Sequence, residues 1–267
     1  NGKNDLENGI VKFIGDADSR IKEDYLRILR YVRFFSDYSK IDHSDNLKKI
    51  ILRNISGIKK ISKERLLDEL KKIFKSQGFL RISNNNFSNE LLLKIFPELK
   101  NLKLFKKLNF DALDLIKSKD FIFLLSISII DETDNVDYFL YKYKLSTFDK
   151  NRILFLKKYS KFINKQNFFS QKNLLKILYI YDTKNVIDLI DFKIFKSIKT
   201  NDNLLKIRED FGKKNKPVFP IKAKDIMETY NLKEGRQLGL KIKELKNIWI
   251  NNNFSINKKE IEKIAKN

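Results

Sequence analysis

The chain has 267 residues, 42% of them hydrophobic and 34% charged, enough for one large domain or two to three small ones around a sizeable core. Its 56 Lys and Arg against 34 Asp and Glu give a net charge of +22. That favours polyanionic partners, RNA first, although a chain rich in Lys, Asn and Ile throughout could carry much of the charge as plain composition. With no Cys and a single His, disulfides, thiolate catalysis and zinc sites built from Cys or several His are excluded. No apolar run approaches the ~18 residues of a membrane span, no signal peptide is visible, and a cytoplasmic protein with no membrane partner is expected.

Gly (8) and Pro (3) are scarce, and apolar residues recur at helical spacing, so the fold class is all-α. Residues 1–9 read as a loop, and Ile10 to Ile14 as a short β-like run closed by Gly15-Asp16. Asp16 or Asp18 can cap a helix that runs from about Arg20 to Ser36, with Tyr25, Ile28, Leu29, Val32 and Phe35 as its buried stripe. His43 falls in a polar stretch and reads as a solvated loop residue. A second helix is expected over about 44–55. A third, capped by Ser62, runs to about Ser76 and is closed by Gly78. Further helices are expected near 88–96, 111–117, 119–131, 134–143, 148–163, 170–180, 183–190 and 201–210, that at 119–131 buried. The asparagines at 84–86 and 251–253 read as loops. After a linker holding Pro217 and Pro220, a final unit has helices near 222–229, 235–252 and 257–266.

The informative segment is Arg20 to Phe34, RIKEDYLRILRYVRF. On a continuous helix Glu23, Arg27 and Arg30 share one face, and Asp24 neighbours Arg27. A carboxylate beside a guanidinium offers alternating acceptors and donors, an edge that could pair with the Watson–Crick edge of a base. The same residues could equally be ion pairs on a wet helix face.

The surroundings of this segment carry a resemblance. Gly2 to Asp16 follows the pattern G-x-x-D-L-x-x-G-x-I-R-x-x-G-D, with Lys12 at the arginine position, and Arg20 to Phe34 follows R-x-x-E-D-x-L-R-x-L-R-x-x-R-F. Ile61 to Ile73 follows S-x-E-R-x-x-x-E-L-x-K. In this order and spacing they resemble the class II tRNA nucleotidyltransferase and bacterial poly(A) polymerase family; Phe219 to Asp225 and Gly235 to Leu240 are more weakly similar to the endings of some bacterial members.

The resemblance implies that Asp24 and Arg27 pair with the base of an incoming CTP or ATP and that Glu23 orients the arginine, with Arg20 and Arg30 in the same nucleotide-binding set. It implies that Glu64, Arg65 and Glu69 buttress the nucleotide-binding helix, and that Asp5 to Lys12 is a flexible element of the site. It further implies an activity adding CCA, or A alone, to tRNA 3′ ends with Mg2+. The family's metal-binding carboxylates, in G-S-x-x-R-D and D-x-D patterns, have no counterpart at Asp5, Asp16 or Asp18. They are expected upstream of residue 1, which leaves this chain inactive by itself and without catalytic residues of its own. Met227 as the only Met and the opening Asn1-Gly2-Lys3 agree with a fragment.

The expected organisation is the end of a nucleotidyltransferase head at 1–15, a neck at 16–77 recognising the nucleotide base and RNA, a helical body at 78–212 and a helical tail at 213–267. Lys233, Gly235 and Arg236 could receive an RNA phosphate at a helix start, or Gly235 could end one helix while Gly239 allows close packing. Tyr25 and Tyr31 could stack bases or simply fill the core. Three alternatives stay open: a poly(A) polymerase of the same family, a non-catalytic helical RNA-binding protein, and a plain helical interaction domain whose charge is compositional.

Overall fold

A computed structural model describes residues 2–231 and 233–266. They form an all-α protein with no strand among the described residues. The first eleven helices are α1 (Gly2–Glu7), α2 (Ala17–Glu23), α3 (Arg27–Tyr38), α4 (Asp45–Asn54), α5 (Lys63–Lys75), α6 (Phe79–Asn84), α7 (Asn86–Ile95), α8 (Phe110–Leu115), α9 (Phe121–Ile129), α10 (Asn135–Lys142) and α11 (Thr147–Ser160). There follow α12 (Gln171–Ile180), α13 (Thr183–Lys196), α14 (Asp202–Gly212), α15 (Ala223–Tyr230), α16 (Arg236–Asn251) and α17 (Lys258–Lys266). Short 3-10 turns occupy Ile55–Lys60, Leu102–Lys107 and Ile116–Ser118. Two compact units result, one of 1–163 with 188–203, the other of 164–187 with 204–267.

Five local expectations are corrected. Residues 2–7 are helical instead of a loop, and the apolar run at 10–13 takes no regular structure, since a lone extended run has no neighbour to complete a hydrogen-bonded ladder. Gly78 does not end α5. Its φ is −83°, and it precedes α6, a helix the periodicity missed. Its small size serves a close approach, because a Cβ there would lie 2.0 Å from the Ser36 carbonyl oxygen. The asparagines at 84–86 are not a loop: Asn85 caps α7 by accepting from Ser88 N at 2.9 Å. The helix expected over 20–36 is broken at Asp24, with consequences described below.

In the first unit α3 packs against α5 and α6, α2 against α4, and α9 against both α5 and α11. Ile21, Ile28, Leu29 and Val32, like Leu66, Leu70 and Ile73 of α5, are removed from water. Truncating one of these to alanine costs about 2–5 kcal/mol. Helix α9 is apolar on every side and buried along its whole length, as its uninterrupted hydrophobic sequence predicts. Its flank carries buried ion pairs, Arg152 with Asp188 at 2.5 and 3.0 Å and Lys119 with Asp191, and Arg152 also reaches the exposed Asp120 at 2.6 Å.

In the second unit Ile226, Leu238, Leu245 and Ile264 from α15, α16 and α17 form a core. Trp249 is enclosed edge-on by Tyr179, Phe219 and Phe254.

Candidate nucleotide and RNA site

The α2–α3 corner is built by aspartates at its two ends. Asp16 caps α2 by accepting from Ser19 N at 2.9 Å. Asp24 ends it: the residue is extended (φ −152°, ψ 103°), and its Oδ1 accepts from Leu26 N at 3.1 Å. A short carboxylate bonding to the backbone two residues on competes directly with the helix. The chain therefore turns at 24–26 and restarts at Arg27. Glu23, Arg27 and Arg30 do not share one uninterrupted helical face.

The turn still brings the expected groups together. Arg27 Nη1 donates to Glu23 Oε2 at 2.6 Å and to the Arg20 carbonyl at 2.8 Å. Arg20 Nη1 also reaches Glu23 Oε2, at 2.7 Å. Glu23 is thus held between two guanidiniums, and the hydrogen bond from Arg27, aided by Arg20, lowers its pKa despite its partial desolvation. Asp24 does not pair with Arg27. Its Oδ2 accepts from Arg65 Nη2 at 2.9 Å, from the first turn of α5.

The geometry leaves capacity for a ligand. Arg27 has five N–H donors, and among the described residues only Nη1 is engaged. The Asp24 carboxylate has about four acceptor directions and uses two. Both side chains are partly accessible, 27% and 21%. Arg20, Arg27 and Arg30 line an open groove of about 240 Å³, completed by Lys12, Phe13 and Tyr31. Arg30 is half-buried and makes no ion pair among the described residues. Lys12 is tied to Asp5 at 2.8 Å.

Behind the groove, Glu69 is 1% exposed and accepts from Arg33 Nε at 2.7 Å, with Lys72 at 3.6 Å. Glu64 is exposed in the first turn of α5 and makes no ion pair among the described residues. Ser62 caps that helix by accepting from Arg65 N.

His43 is not a solvated loop residue: it is 5% exposed. Its ring stacks on Phe35 at 3.5 Å between centroids. Nδ1 faces the Tyr31 hydroxyl at 2.7 Å, and Nε2 faces Ser88 Oγ at 2.9 Å and Asn85 Oδ1 at 3.2 Å. Burial pulls its pKa down from 6.5 to about 4, so the ring is neutral. The same network makes Tyr31 a core residue, 5% exposed, and burial raises its phenol pKa. Sequence reasoning missed this assembly because its members are spread from Tyr31 to Ser88. The ring neighbours of His43, Phe35 and Phe87, are likewise distant along the chain.

Tyr25 is half-buried beside Gly57 and borders a second concavity of about 330 Å³ lined by Lys22, Arg53 and Lys60. In the second unit, Lys233 and Arg236 are exposed beside Gly235, whose φ of +156° favours glycine. Neither glycine reading offered for the tail fits. Asn231, with φ 51°, is the left-handed cap of α15, and a Cβ at Gly239 would meet nothing within 4 Å.

Among the described residues no three acidic or histidine side chains are grouped to share a metal ion, and no helix is long and apolar enough to cross a membrane. The Asp5, Asp16 and Asp18 carboxylates are engaged with Lys12, Ser19 and the Lys22–Arg53–Asn54 set respectively. They do not fit a two-metal centre.

Three arginines thus surround a groove at the first corner of an all-helical fold. Residues 44–103 match the family model described as "Probable RNA and SrmB-binding site of polymerase A". The chain is 28% identical over 274 residues to the mitochondrial CCA tRNA nucleotidyltransferase 1 of Mus musculus, covering 98% of this chain and 59% of that protein. It is 30% identical over 190 residues to the CCA-adding enzyme of Staphylococcus haemolyticus, covering 69% and 43%. The CCA-adding enzyme of Bacillus stearothermophilus, solved in complex with CTP, has the same fold, with a TM-score of 0.67 over 94% of this chain and 63% of that one, at 17% identity. Along almost its whole length the chain is similar to members of the tRNA nucleotidyltransferase and poly(A) polymerase family. It spans about three-fifths of the length of the mouse relative.

Proposed function

We propose that this chain is the base-reading and RNA-holding part of a tRNA nucleotidyltransferase that adds CCA, or A alone, to tRNA 3′ ends from CTP and ATP. The reading is carried by one arrangement: Arg27, fixed by Glu23 and the Arg20 carbonyl, lines a groove with Arg20 and Arg30, and Asp24, fixed by Arg65, stands three residues before it at the turn between the two helices. The unused Arg27 donors and Asp24 acceptors meet the base edge, while Arg20 and Arg30 supply positive charge for the triphosphate. Arg65 and Glu69 stand behind as the buttress, Arg65 by holding Asp24 and Glu69 by holding Arg33, while the exposed Glu64 makes no such contact among the described residues. Lys233, Gly235 and Arg236 add a phosphate contact for the tRNA. The relatives' names, with tRNA as substrate, and the CTP in the solved Bacillus enzyme support this assignment.

Mg2+ belongs to this chemistry in the family, and the carboxylates present do not fit it, so no step is assigned to it here. The poly(A) reading has support of its own in the description of the model matched by 44–103. Sequencing the 3′ ends made by the gene product that contains this chain separates the two, since CCA ends and A tracts are distinct products.

The decisive variant is Arg27→Ala in that gene product, assayed for incorporation from each of the four nucleoside triphosphates into a tRNA lacking its 3′ end. A lost bidentate base contact is worth roughly 1–3 kcal/mol, so preference for CTP and ATP over UTP and GTP should fall by about 5- to 100-fold. Unchanged selectivity would refute the role given to Arg27.

A further inference from the structure

Asn89, on α7, is 2% exposed, yet neither its amide nitrogen nor its amide oxygen has a hydrogen-bond partner among the described residues. A buried donor and acceptor left unmade cost about 1–3 kcal/mol each, so such a group asks for a reason. Asn89 lines a concavity of about 310 Å³ together with Ser83, Asn86, Glu90 and Lys103, Lys106 and Lys107. That volume is at the low end of small-molecule sites, which run from about 300 Å³ upward.

The three lysines come from the turn Leu102–Lys107. All are exposed, and none makes an ion pair among the described residues. The concavity therefore joins uncommitted cations at its rim to an uncommitted amide in its wall. An amide edge matches the adjacent donor and acceptor on the edge of a nucleobase, and lysines match a phosphate.

We infer that this concavity receives one unpaired nucleotide of RNA, with its phosphate on Lys103, Lys106 and Lys107 and its base edge on Asn89. The Glu90 carboxylate accepts from a base N–H and disfavours a second phosphate. Reaching the amide requires a shift of the rim side chains, and Asn86, Glu90 and the lysines are all exposed and able to make it. The inference rests on the RNA-handling reading above but concerns a different place from the Arg27 groove.

The test uses the whole chain, a fluorescent unstructured oligoribonucleotide, a tRNA and ATP, followed by anisotropy and by thermal melting. Asn89→Leu removes the amide while filling its space. It should weaken oligonucleotide binding by roughly 5- to 100-fold with the salt dependence unchanged, and leave the melting temperature equal or higher. Replacing the three lysines by alanine should lower the slope of log affinity against log salt by about 2. Oligonucleotide affinity unchanged in both variants, with tRNA still bound, overturns the pocket alone. A melting temperature that falls in step with affinity for Asn89→Leu shows a structural role and also overturns it. If ATP binding is lost in Asn89→Leu while the oligonucleotide is unaffected, the site takes free nucleotide and the RNA assignment fails. A wild-type chain that binds neither RNA at low salt refutes the RNA-handling reading itself.

Discussion

Acidification should loosen the wall of the arginine groove through His43. The ring's Nδ1 lies 2.7 Å from the Tyr31 hydroxyl and its Nε2 lies 2.9 and 3.2 Å from Ser88 Oγ and Asn85 Oδ1, partners that a neutral ring satisfies by accepting at one nitrogen and donating at the other. Its pKa falls from 6.5 to about 4 on folding because burial opposes the charged ring, a difference of about 3 kcal/mol between the two protonation states. Between these values the unfolded chain binds a proton and the folded chain does not. Stability contributed by His43 is thus complete above about pH 6.5 and is lost as pH falls toward about 4, with a slope of at most about 1.4 kcal/mol per pH unit. Urea unfolding followed by circular dichroism at pH 6.5 and 4.5, on wild type and His43→Gln, isolates the effect. Asp16, Asp18, Glu23 and Asp42 also have lowered pKa values, but they are common to both proteins and cancel in the difference. Wild type should lose about 2–3 kcal/mol more than the variant over this interval. Equal losses would mean that His43 titrates normally and that its buried network does not hold Tyr31.

Other expectations concern the scaffold. Arg152→Ala leaves Asp188, whose side chain is 6% exposed, without its counter-charge and should destabilise by about 3–5 kcal/mol. Adding Asp188→Leu should recover much of the loss, as read by a double-mutant cycle in denaturant, and purely additive losses would contradict the pairing. Gly57→Ala places a Cβ 2.0 Å from the Tyr25 ring. Tyr25 must move, at a cost of about 1–3 kcal/mol, so a melting temperature equal to wild type would show that the ring is free to swing away.

Legibility in the sequence followed the range of the interactions. The stripe Ile28, Leu29, Val32 and Phe35 and the fully apolar run at 121–129 were readable because helix burial repeats every few residues. The caps at Asp16 and Ser62 were readable because capping is local. The break at Asp24 was not, although its cause is local too: the periodicity of apolar residues continues across it, and only the short bond from Asp24 to Leu26 N decides against the helix. The partner of Asp24 lay 41 residues away at Arg65, and no helical spacing could reveal it. His43 failed for the same reason, since polar neighbours in sequence masked aromatic neighbours in space.

The long-range bonds also explain how a groove can rest on a corner made of two short helices. Almost every element between 44 and 103 sends a polar group back to 16–43. Arg53 and Asn54 hold Asp18, Arg65 holds Asp24, and Glu69 holds Arg33. Gly78 N binds Asp37, Arg81 reaches the Ser36 and Ser39 carbonyls, and Asn85 and Ser88 hold His43. Helix α2 has seven residues, too few to be stable by itself in water. Its orientation toward α3 is therefore set by these contacts and by packing on α4, not by its own propensity. The region matched by the family model thus contains none of the groove's arginines and yet supplies the groups that hold the corner carrying them. Substitutions in 44–103 that leave the core intact should act on the groove through geometry, so their effects belong in nucleotide selectivity more than in melting temperature.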